Sequence, residues 1–393
     1  MKHKYLSKRY WKDNSTPMGA SNAKAKEYND VINLSLGDPD IVTDRMIIER
    51  AYRDALAGHT KYTEFRGDPE LRAAISKFYK EEYDMDVADD EIFVTAGGCV
   101  AMYLVMEAIL DDGDEVILQS PFFTPYPQQV KLARGIPVEL PTYEEEDWQV
   151  STERLESLIT ERTKAIVINS PSNPTGSCLS LETMKEIARI VEKYDLIVVC
   201  DDIYTAFSYQ NPFIPFASLP GMRERCLIIN TVSKNFTMTG WRIGNIIAPS
   251  FLIKVIQAIN ENLVFTAPAP NQRAAIEAYE KRHEFQPAMV EEYRKRVFYA
   301  AERINSLRNM HVIYPPKGSF YLFINIKDTG LSSVEVADLI LDQAHVLMLP
   351  GIAFGGCGEG FLRIACTVDC ETLGEVFDRV GKMDLFNPEL RSE

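Results

Sequence analysis

The strongest constraint on the fold of this chain is a series of short apolar runs that alternate with amphipathic stretches. The runs that read as strands lie at residues 91–96, 115–119, 165–170, 196–202 and 227–233. Several are almost continuously apolar, as expected for strands that are buried on both faces. Helices are predicted between them, for example at 100–110 and 181–194. This alternation predicts an α/β fold with a mostly parallel sheet between helices.

The C-terminal third of the chain predicts a second, smaller lobe. Residues 271–307 are charged and amphipathic, typical of long helices that leave the first lobe, and two further strand-like runs, GSFYLFINI and GFLRIACT, flank a helical stretch near 334–343. A chain of 393 residues is long enough for two lobes. We expect an N-terminal segment (1–45) that packs with the small domain, a large domain (46–285) and a small C-terminal α/β domain (286–393), with a site between the lobes.

Charge and cysteine usage narrow the classes of partner. The net charge is −15, from 57 acidic and 42 basic residues, so nucleic acid and anionic membranes would be repelled on average. No run is long and apolar enough to span a bilayer, and the N-terminus lacks the apolar segment of a secretory signal. The seven cysteines are scattered without a C-x-x-C pair. We therefore expect a cytoplasmic protein with small-molecule substrates and no metal site.

Unusual residues follow the ends of the predicted strands. Gly97 and Gly98 follow the first, Asn173 the third, Asp201 ends the fourth and Lys234 follows the fifth. In open α/β sheets, ligands bind outside the carboxyl ends of the strands. The sequence therefore predicts a ligand site at this edge of the sheet.

Each of these residues also has a plainer interpretation when it is taken alone. A lysine at the end of a buried strand is costly unless it is paired or used covalently, but an isolated Lys234 would more often reach solvent. Asp201 could cap a helix, and Asn173 could simply stabilise an Asn-Pro turn. Arg242, with the hydroxyls of nearby residues, has the donor geometry that binds a phosphate.

Taken together, the motifs of this chain resemble the class I and II aminotransferases, which have pyridoxal-phosphate (PLP) fold type I. The resemblance runs over nearly the whole chain, in order: INLSLGDPD, KYTEFRGDPELRAAI, VTAGG, SPFFTPYP, SPSNPTG, DDIY, SKNFTMTGWRIG and GFLRIA. SPSNPTG and the lysine followed by TGWRIG are highly specific in combination. The resemblance implies a seven-stranded sheet in the large domain, PLP as cofactor and a homodimer.

The resemblance also implies roles for individual residues. Lys234 would hold PLP covalently, Asp201 would pair with the pyridine nitrogen, and Phe123 would stack on the ring. Asn173 and Tyr204 would hydrogen-bond the phenolic oxygen. The phosphate would be held by Gly98, Cys99, Thr231, Ser233 and Arg242, with Tyr62 reaching it from the neighbouring subunit. Arg363 would bind the substrate α-carboxylate, helped by Asn173 and the backbone of Gly37.

The implied activity is transfer of an amino group between an L-amino acid and a 2-oxo acid such as 2-oxoglutarate. Many dicarboxylate-specific members carry a lysine after the paired glycines, where this chain has Cys99, and the stretch ENLVFTAP (261–268) supplies no arginine or lysine. The lack of an obvious cation for a second substrate carboxylate favours a substrate with an aromatic or other neutral side chain. Aspartate aminotransferase and a C–S β-lyase remain alternatives. A sensor domain of a transcription regulator is less favoured, because no basic DNA-binding module is evident.

Overall fold

The computed structural model describes residues 3–8 and 17–389. Its strands are β1 (Ile32–Asn33), β2 (Ile92–Thr95), β3 (Glu115–Ser120), β4 (Ile136–Pro141), β5 (Thr163–Asn169), β6 (Ile197–Asp201), β7 (Cys226–Thr231), β8 (Gly244–Ile247), β9 (Tyr321–Asn325), β10 (Val346–Leu347), β11 (Leu349–Pro350) and β12 (Phe361–Ala365). Seven of them, β2 to β8, form one large sheet.

The large sheet is mostly parallel, which confirms the fold class predicted from the sequence. Its order is β2-β8-β7-β6-β5-β3-β4, and only β8 runs antiparallel to its neighbours. Strands β4 and β8 were not predicted from the sequence. β4 contains two prolines, which an edge strand tolerates because one side of it needs no ladder hydrogen bonds. β8 has only four residues, of which two are Gly and Asn.

Helices cover both faces of this sheet. The helices of the described chain, including those of the C-terminal region, are α1 (Pro17–Ala25), α2 (Arg45–Leu56), α3 (Pro69–Tyr83), α4 (Gly98–Ile109), α5 (Tyr126–Leu132), α6 (Thr152–Leu158), α7 (Leu181–Lys193), α8 (Val232–Asn235), α9 (Ser250–Glu261), α10 (Ala269–Glu280), α11 (Arg282–Asn305), α12 (Ser333–Ala344) and α13 (Cys370–Val380). Within residues 3–8 and 17–389, no helix combines the length and apolar character that crossing a bilayer requires.

Alternation along the strands builds two separate cores. In β5, Ile166 and Ile168 point into a core shared with α3, α7 and α10, whereas Ala165 and Val167 point into one shared with α4, α5 and α9. Successive side chains of a strand face opposite sides of a sheet, so a strand buried on both sides must be apolar throughout. This explains why the central strands read as continuous apolar runs.

The C-terminal part of the chain forms a second β-structure. Strands β11, β12 and β9 make an antiparallel sheet in that order, and α11, α12 and α13 share its core. The N-terminal strand β1 pairs in parallel with β10, so the start of the chain is part of this region. The boundaries 1–45, 46–285 and 286–393 stay a prediction; residues 1–2 and 9–16 of the first segment lie outside the described residues.

A buried ion network fastens three helices of the large lobe to each other. The guanidinium of Arg273 in α10 donates to Asp54 of α2 at 2.8 Å, and to Asp68 at 3.0 Å and Glu70 at 2.8 Å at the start of α3. Burial opposes ionisation of Asp54, but hydrogen bonds from Arg50 and Arg273 outweigh it and lower the pKa of that carboxyl to about 2. Without Arg273, the buried carboxylate of Asp68 would keep the backbone N–H of Glu70 as a donor but lose its ion pair. Asp54 would still pair with Arg50.

We predict that Arg273→Met lowers the free energy of unfolding by about 3–5 kcal/mol, because it leaves the buried carboxylate of Asp68 without a charged partner. The matched control is Arg45→Met, also on one of these helices. The side chain of Arg45 is 88% exposed and pairs with Glu49 at 2.6 Å, so its removal should cost less than about 1 kcal/mol. Urea denaturation at one protein concentration measures both values. If both variants lose the same small amount of unfolding free energy, the ion network does not stabilise the packing of these helices.

Candidate active site

A cavity of about 490 Å³ opens at the carboxyl ends of the parallel strands. It brings together nearly all the residues that the sequence analysis assigned to a site. The predicted residues that line it are Gly37, Gly98, Cys99, Phe123, Asn173, Asp201, Tyr204, Thr231, Ser233, Lys234, Arg242 and Arg363. They come from both lobes, since Arg363 lies on β12 and Gly37 follows β1.

Lys234 projects into this cavity from α8, the single helical turn that follows β7. Its amine donates a hydrogen bond to the carbonyl oxygen of Gly37. Burial lowers the pKa of this amine to about 8; the carboxylate of Asp38 raises it, and the guanidinium groups of Arg363 and Arg242 lower it further. An ordinary lysine has a pKa of about 10.4. Lys234 is therefore a lysine with a usable fraction of free amine near neutral pH.

Asp201 ends the neighbouring strand β6 and is buried. One carboxylate oxygen accepts a hydrogen bond from the hydroxyl of Tyr126, and the other, Oδ1, has no hydrogen-bond partner among the described residues. Burial raises the pKa of this carboxyl to about 6, although the hydrogen bonds from Tyr126 and the backbone of Ile203 act in the opposite direction. A buried carboxyl with one free oxygen is arranged to accept a hydrogen bond from a cationic donor.

An anion-binding corner lies where α4 begins. Gly97 has φ +95°, and a Cβ atom there would lie 2.4 Å from a terminal nitrogen of Arg242, so glycine is required both by its backbone and by the close approach of the guanidinium. The hydroxyls of Thr231 and Ser233 lie 2.9 Å apart beside it. Free N–H groups of a helix start, an arginine and two hydroxyls together form a site for a phosphate.

Arg363 is the buried cation on the opposite side of the cavity. Its terminal nitrogens donate to Oδ1 of Asn173 at 3.2 Å and to the carbonyl oxygen of Ser35. Its Nε has no hydrogen-bond partner in the described part of the chain. The guanidinium carbon lies over the rings of Tyr321 and Phe354, at 4.6 and 4.9 Å from their centroids. A buried arginine with only neutral partners is suited to bind a carboxylate.

Tyr62 is the one predicted site residue that does not line this cavity. Its side chain is 80% exposed, and its ring packs edge-on against Phe265 with centroids 4.8 Å apart. Phe265 in turn contacts Phe65 at 5.2 Å. These three aromatic residues form an exposed cluster at the surface of the chain.

Sequence reasoning missed several residues of the cavity. Tyr126 lies three residues after Phe123 in SPFFTPYP, so one helical turn would have placed it beside the predicted stacking residue. Asp38 is adjacent to Gly37, and its carboxylate accepts from the hydroxyl of Thr239 at 2.6 Å. Tyr321 had no local signal, because it reaches the cavity only through the packing of the smaller lobe.

Comparisons with known proteins agree with this geometry. The profile of the aminotransferase class I and II family matches residues 29–380. An aspartate aminotransferase of Pyrococcus horikoshii is 37% identical over 91% of this chain and 92% of its own length. Aromatic-amino-acid aminotransferase 2 of Thermococcus litoralis is 37% identical over 90% of this chain and 91% of its own length.

Solved structures give the same result. The crystal structure of an aromatic aminotransferase from Pyrococcus horikoshii OT3 superposes with a TM-score of 0.87 and 37% identity, over 91% of this chain and 97% of that chain. The chain therefore belongs to the class I and II aminotransferase family, as its motifs predicted, and is an aminotransferase.

Proposed function

We propose that this aminotransferase uses PLP, held covalently by Lys234, to move amino groups between a neutral L-amino acid and a 2-oxo acid. The proposal is supported by three features that line the same cavity. A lysine amine of lowered pKa, a buried carboxyl with a free oxygen and an anion-binding corner all line it. These three features match the aldehyde, the ring nitrogen and the phosphate of PLP.

The residues around the cavity fit the rest of the cofactor. Arg242, the hydroxyls of Thr231 and Ser233, and the backbone amides of Gly98 and Cys99 would hold the phosphate. The free Oδ1 of Asp201 would accept a hydrogen bond from the protonated ring nitrogen. Asn173 and Tyr204 would donate to the phenolic oxygen, and Phe123 would cover one face of the ring. All of these residues line the cavity.

Bound PLP supplies an electron sink for the bond that breaks at the substrate α-carbon. The side chains of the protein do the rest. Arg363 binds the α-carboxylate through paired N–H donors, with Asn173 and the backbone of Gly37 beside it, and so fixes the orientation of the Cα–H bond. When it is not bound to the cofactor, the amine of Lys234 would accept the α-proton and later return a proton. A pKa of about 8 suits both directions of transfer.

A neutral substrate side chain is favoured by the charges that line the cavity. The three cations of the described lining, Lys234, Arg242 and Arg363, all have roles in the proposed mechanism. Asp38 adds a negative charge to the same lining, which would repel a second substrate carboxylate. The names of the relatives include both aspartate and aromatic aminotransferases, so the preference is argued from this cavity alone.

We further propose a homodimer in which Tyr62 reaches the phosphate corner of the neighbouring subunit. Tyr62 does not line its own cavity, and the exposed cluster with Phe65 and Phe265 would be covered by a partner. Buried Gln272 fixes the segment that carries Tyr62: it accepts from the backbone N–H of Asp68 at 2.7 Å and donates to the hydroxyl of Thr63 at 3.2 Å. We also propose that the protein works in a reducing cytoplasm, where thiols such as its free cysteines stay reduced.

Single amino acids added to the purified PLP-loaded protein test both the reaction and the substrate class. We expect phenylalanine, tyrosine or methionine to convert the visible absorption to that of pyridoxamine phosphate much faster than aspartate does. A fast response to aspartate alone would contradict the neutral-substrate proposal. Release of pyruvate and ammonia from cysteine or cystathionine, without conversion of the cofactor, would move the reaction to the lyase alternative.

Hybrid dimers test the position of Tyr62. A dimer with Lys234→Ala on one subunit and Tyr62→Ala on the other should keep one intact site and about half of wild-type activity, since the two residues of a site come from different chains. The matched control carries both substitutions on one subunit beside a wild-type subunit, and it should have no intact site. Two affinity tags isolate the hybrids. If the control hybrid is instead the more active of the two dimers, Tyr62 acts in the site of its own chain.

A further inference from the structure

One tyrosine of the smaller lobe contacts three residues of the proposed site. Tyr321, at the start of β9, is 2% exposed. Its hydroxyl lies 3.2 Å from the hydroxyl of Tyr204, and its ring lies 4.6 Å from the guanidinium carbon of Arg363. A Cβ atom on Gly37 would lie 1.7 Å from the Tyr321 hydroxyl oxygen. Tyr321 therefore lies against Tyr204, Arg363 and Gly37 at once.

Arg363 depends on this ring for its orientation. The Arg363 guanidinium has two hydrogen bonds, both to neutral acceptors. Burial disfavours its charge and lowers its pKa, yet none of the ion pairs among the described residues includes it. A guanidinium that stacks on aromatic faces is stabilised by the ring quadrupole and keeps its N–H donors free at its edge. Tyr321 and Phe354 each place a ring against the guanidinium carbon, so aromatic contacts stabilise Arg363 in place of an ion pair.

The hydroxyl of Tyr321 acts on a different group. Tyr204 is buried, and Tyr321 is the hydrogen-bond partner that the structure gives its hydroxyl. When Tyr321 donates to Tyr204, the proton of Tyr204 is left free to be donated into the cavity. A phenol that accepts one hydrogen bond becomes a stronger donor in the next.

We propose that Tyr321 is a positioning residue with two separable functions: its ring orients Arg363 for the substrate carboxylate, and its hydroxyl strengthens Tyr204 as a donor to the phenolic oxygen of the cofactor. The proposal rests on the proposed function and extends it to a residue of the smaller lobe. It predicts that removal of the hydroxyl and removal of the ring have different consequences.

The test compares Tyr321→Phe and Tyr321→Leu in the PLP-loaded protein, with the best amino acid of the substrate panel. Tyr321→Leu removes the ring and should raise KM about tenfold, with a smaller change in kcat. Tyr321→Phe keeps the ring and should leave KM within about twofold. Both should raise the pKa of the pH-dependent visible absorption, because a weaker donor stabilises the deprotonated cofactor less.

Tyr209→Phe is the matched control. Its hydroxyl donates to the carbonyl oxygen of Ser319 at 2.7 Å, close to Tyr321 in the chain, but Tyr209 does not line the cavity. It should change neither KM nor the visible pKa. If the leucine variant does not fold, Tyr321→Met replaces it, since methionine fills more of the volume without an aromatic face.

The outcomes separate this inference from the proposed function. An unchanged KM in Tyr321→Leu would overturn the role of the ring, and an unchanged visible pKa in Tyr321→Phe would overturn the role of the hydroxyl. Both experiments require a wild-type protein that shows the visible absorption of bound PLP and turns over an amino acid. If the wild-type protein lacks this absorption after incubation with PLP, the proposed function is wrong, and this inference is wrong with it.

Discussion

An amine and a carboxyl that line one cavity without pairing are the constraint on which the rest of this structure depends. Lys234 and Asp201 follow adjacent strands, yet Lys234 bonds a backbone carbonyl and Asp201 bonds a tyrosine. Burial shifts the pKa of the amine down to about 8 and that of the carboxyl up to about 6. Burying such unpaired ionisable groups costs free energy, and this cost is offset when a ligand between them offers a complementary group to each.

The fold holds these groups apart by backbone geometry. Parallel strands β6 and β7 end at the same edge of the sheet, so the side chains that follow them are fixed by register and not by contact with each other. The sheet is buried between two apolar cores, which makes that register rigid. The smaller lobe then closes the cavity with Arg363 and Tyr321. In the proposed mechanism, the carboxylate and the amino group of the substrate would therefore be bound by different lobes.

The sequence predicted the parts of this arrangement that depend on local pattern. Continuous apolar runs located the central strands, and the residues that follow them located the cavity. The edge strand β4 and the short antiparallel strand β8 escaped prediction because proline, glycine and asparagine weaken the strand pattern. Tyr321 was not predicted because no motif around it indicates a chemical role. Its proposed role follows from contacts with Tyr204, Arg363 and Gly37, which are distant in sequence. The proposed partner surface around Tyr62 was predicted only through the family resemblance, because the pattern of one chain does not show which surface a second subunit covers.

The most direct test of the central claim is to find where PLP is attached. The purified protein is incubated with PLP, treated with borohydride to make the linkage permanent, digested and analysed by peptide mass spectrometry. We predict a single phosphopyridoxyl group on the peptide that contains Lys234, and loss of that label in Lys234→Ala. Labelling spread over surface lysines, with Lys234 unmodified, would contradict the assignment of this lysine and the account of the cavity built on it.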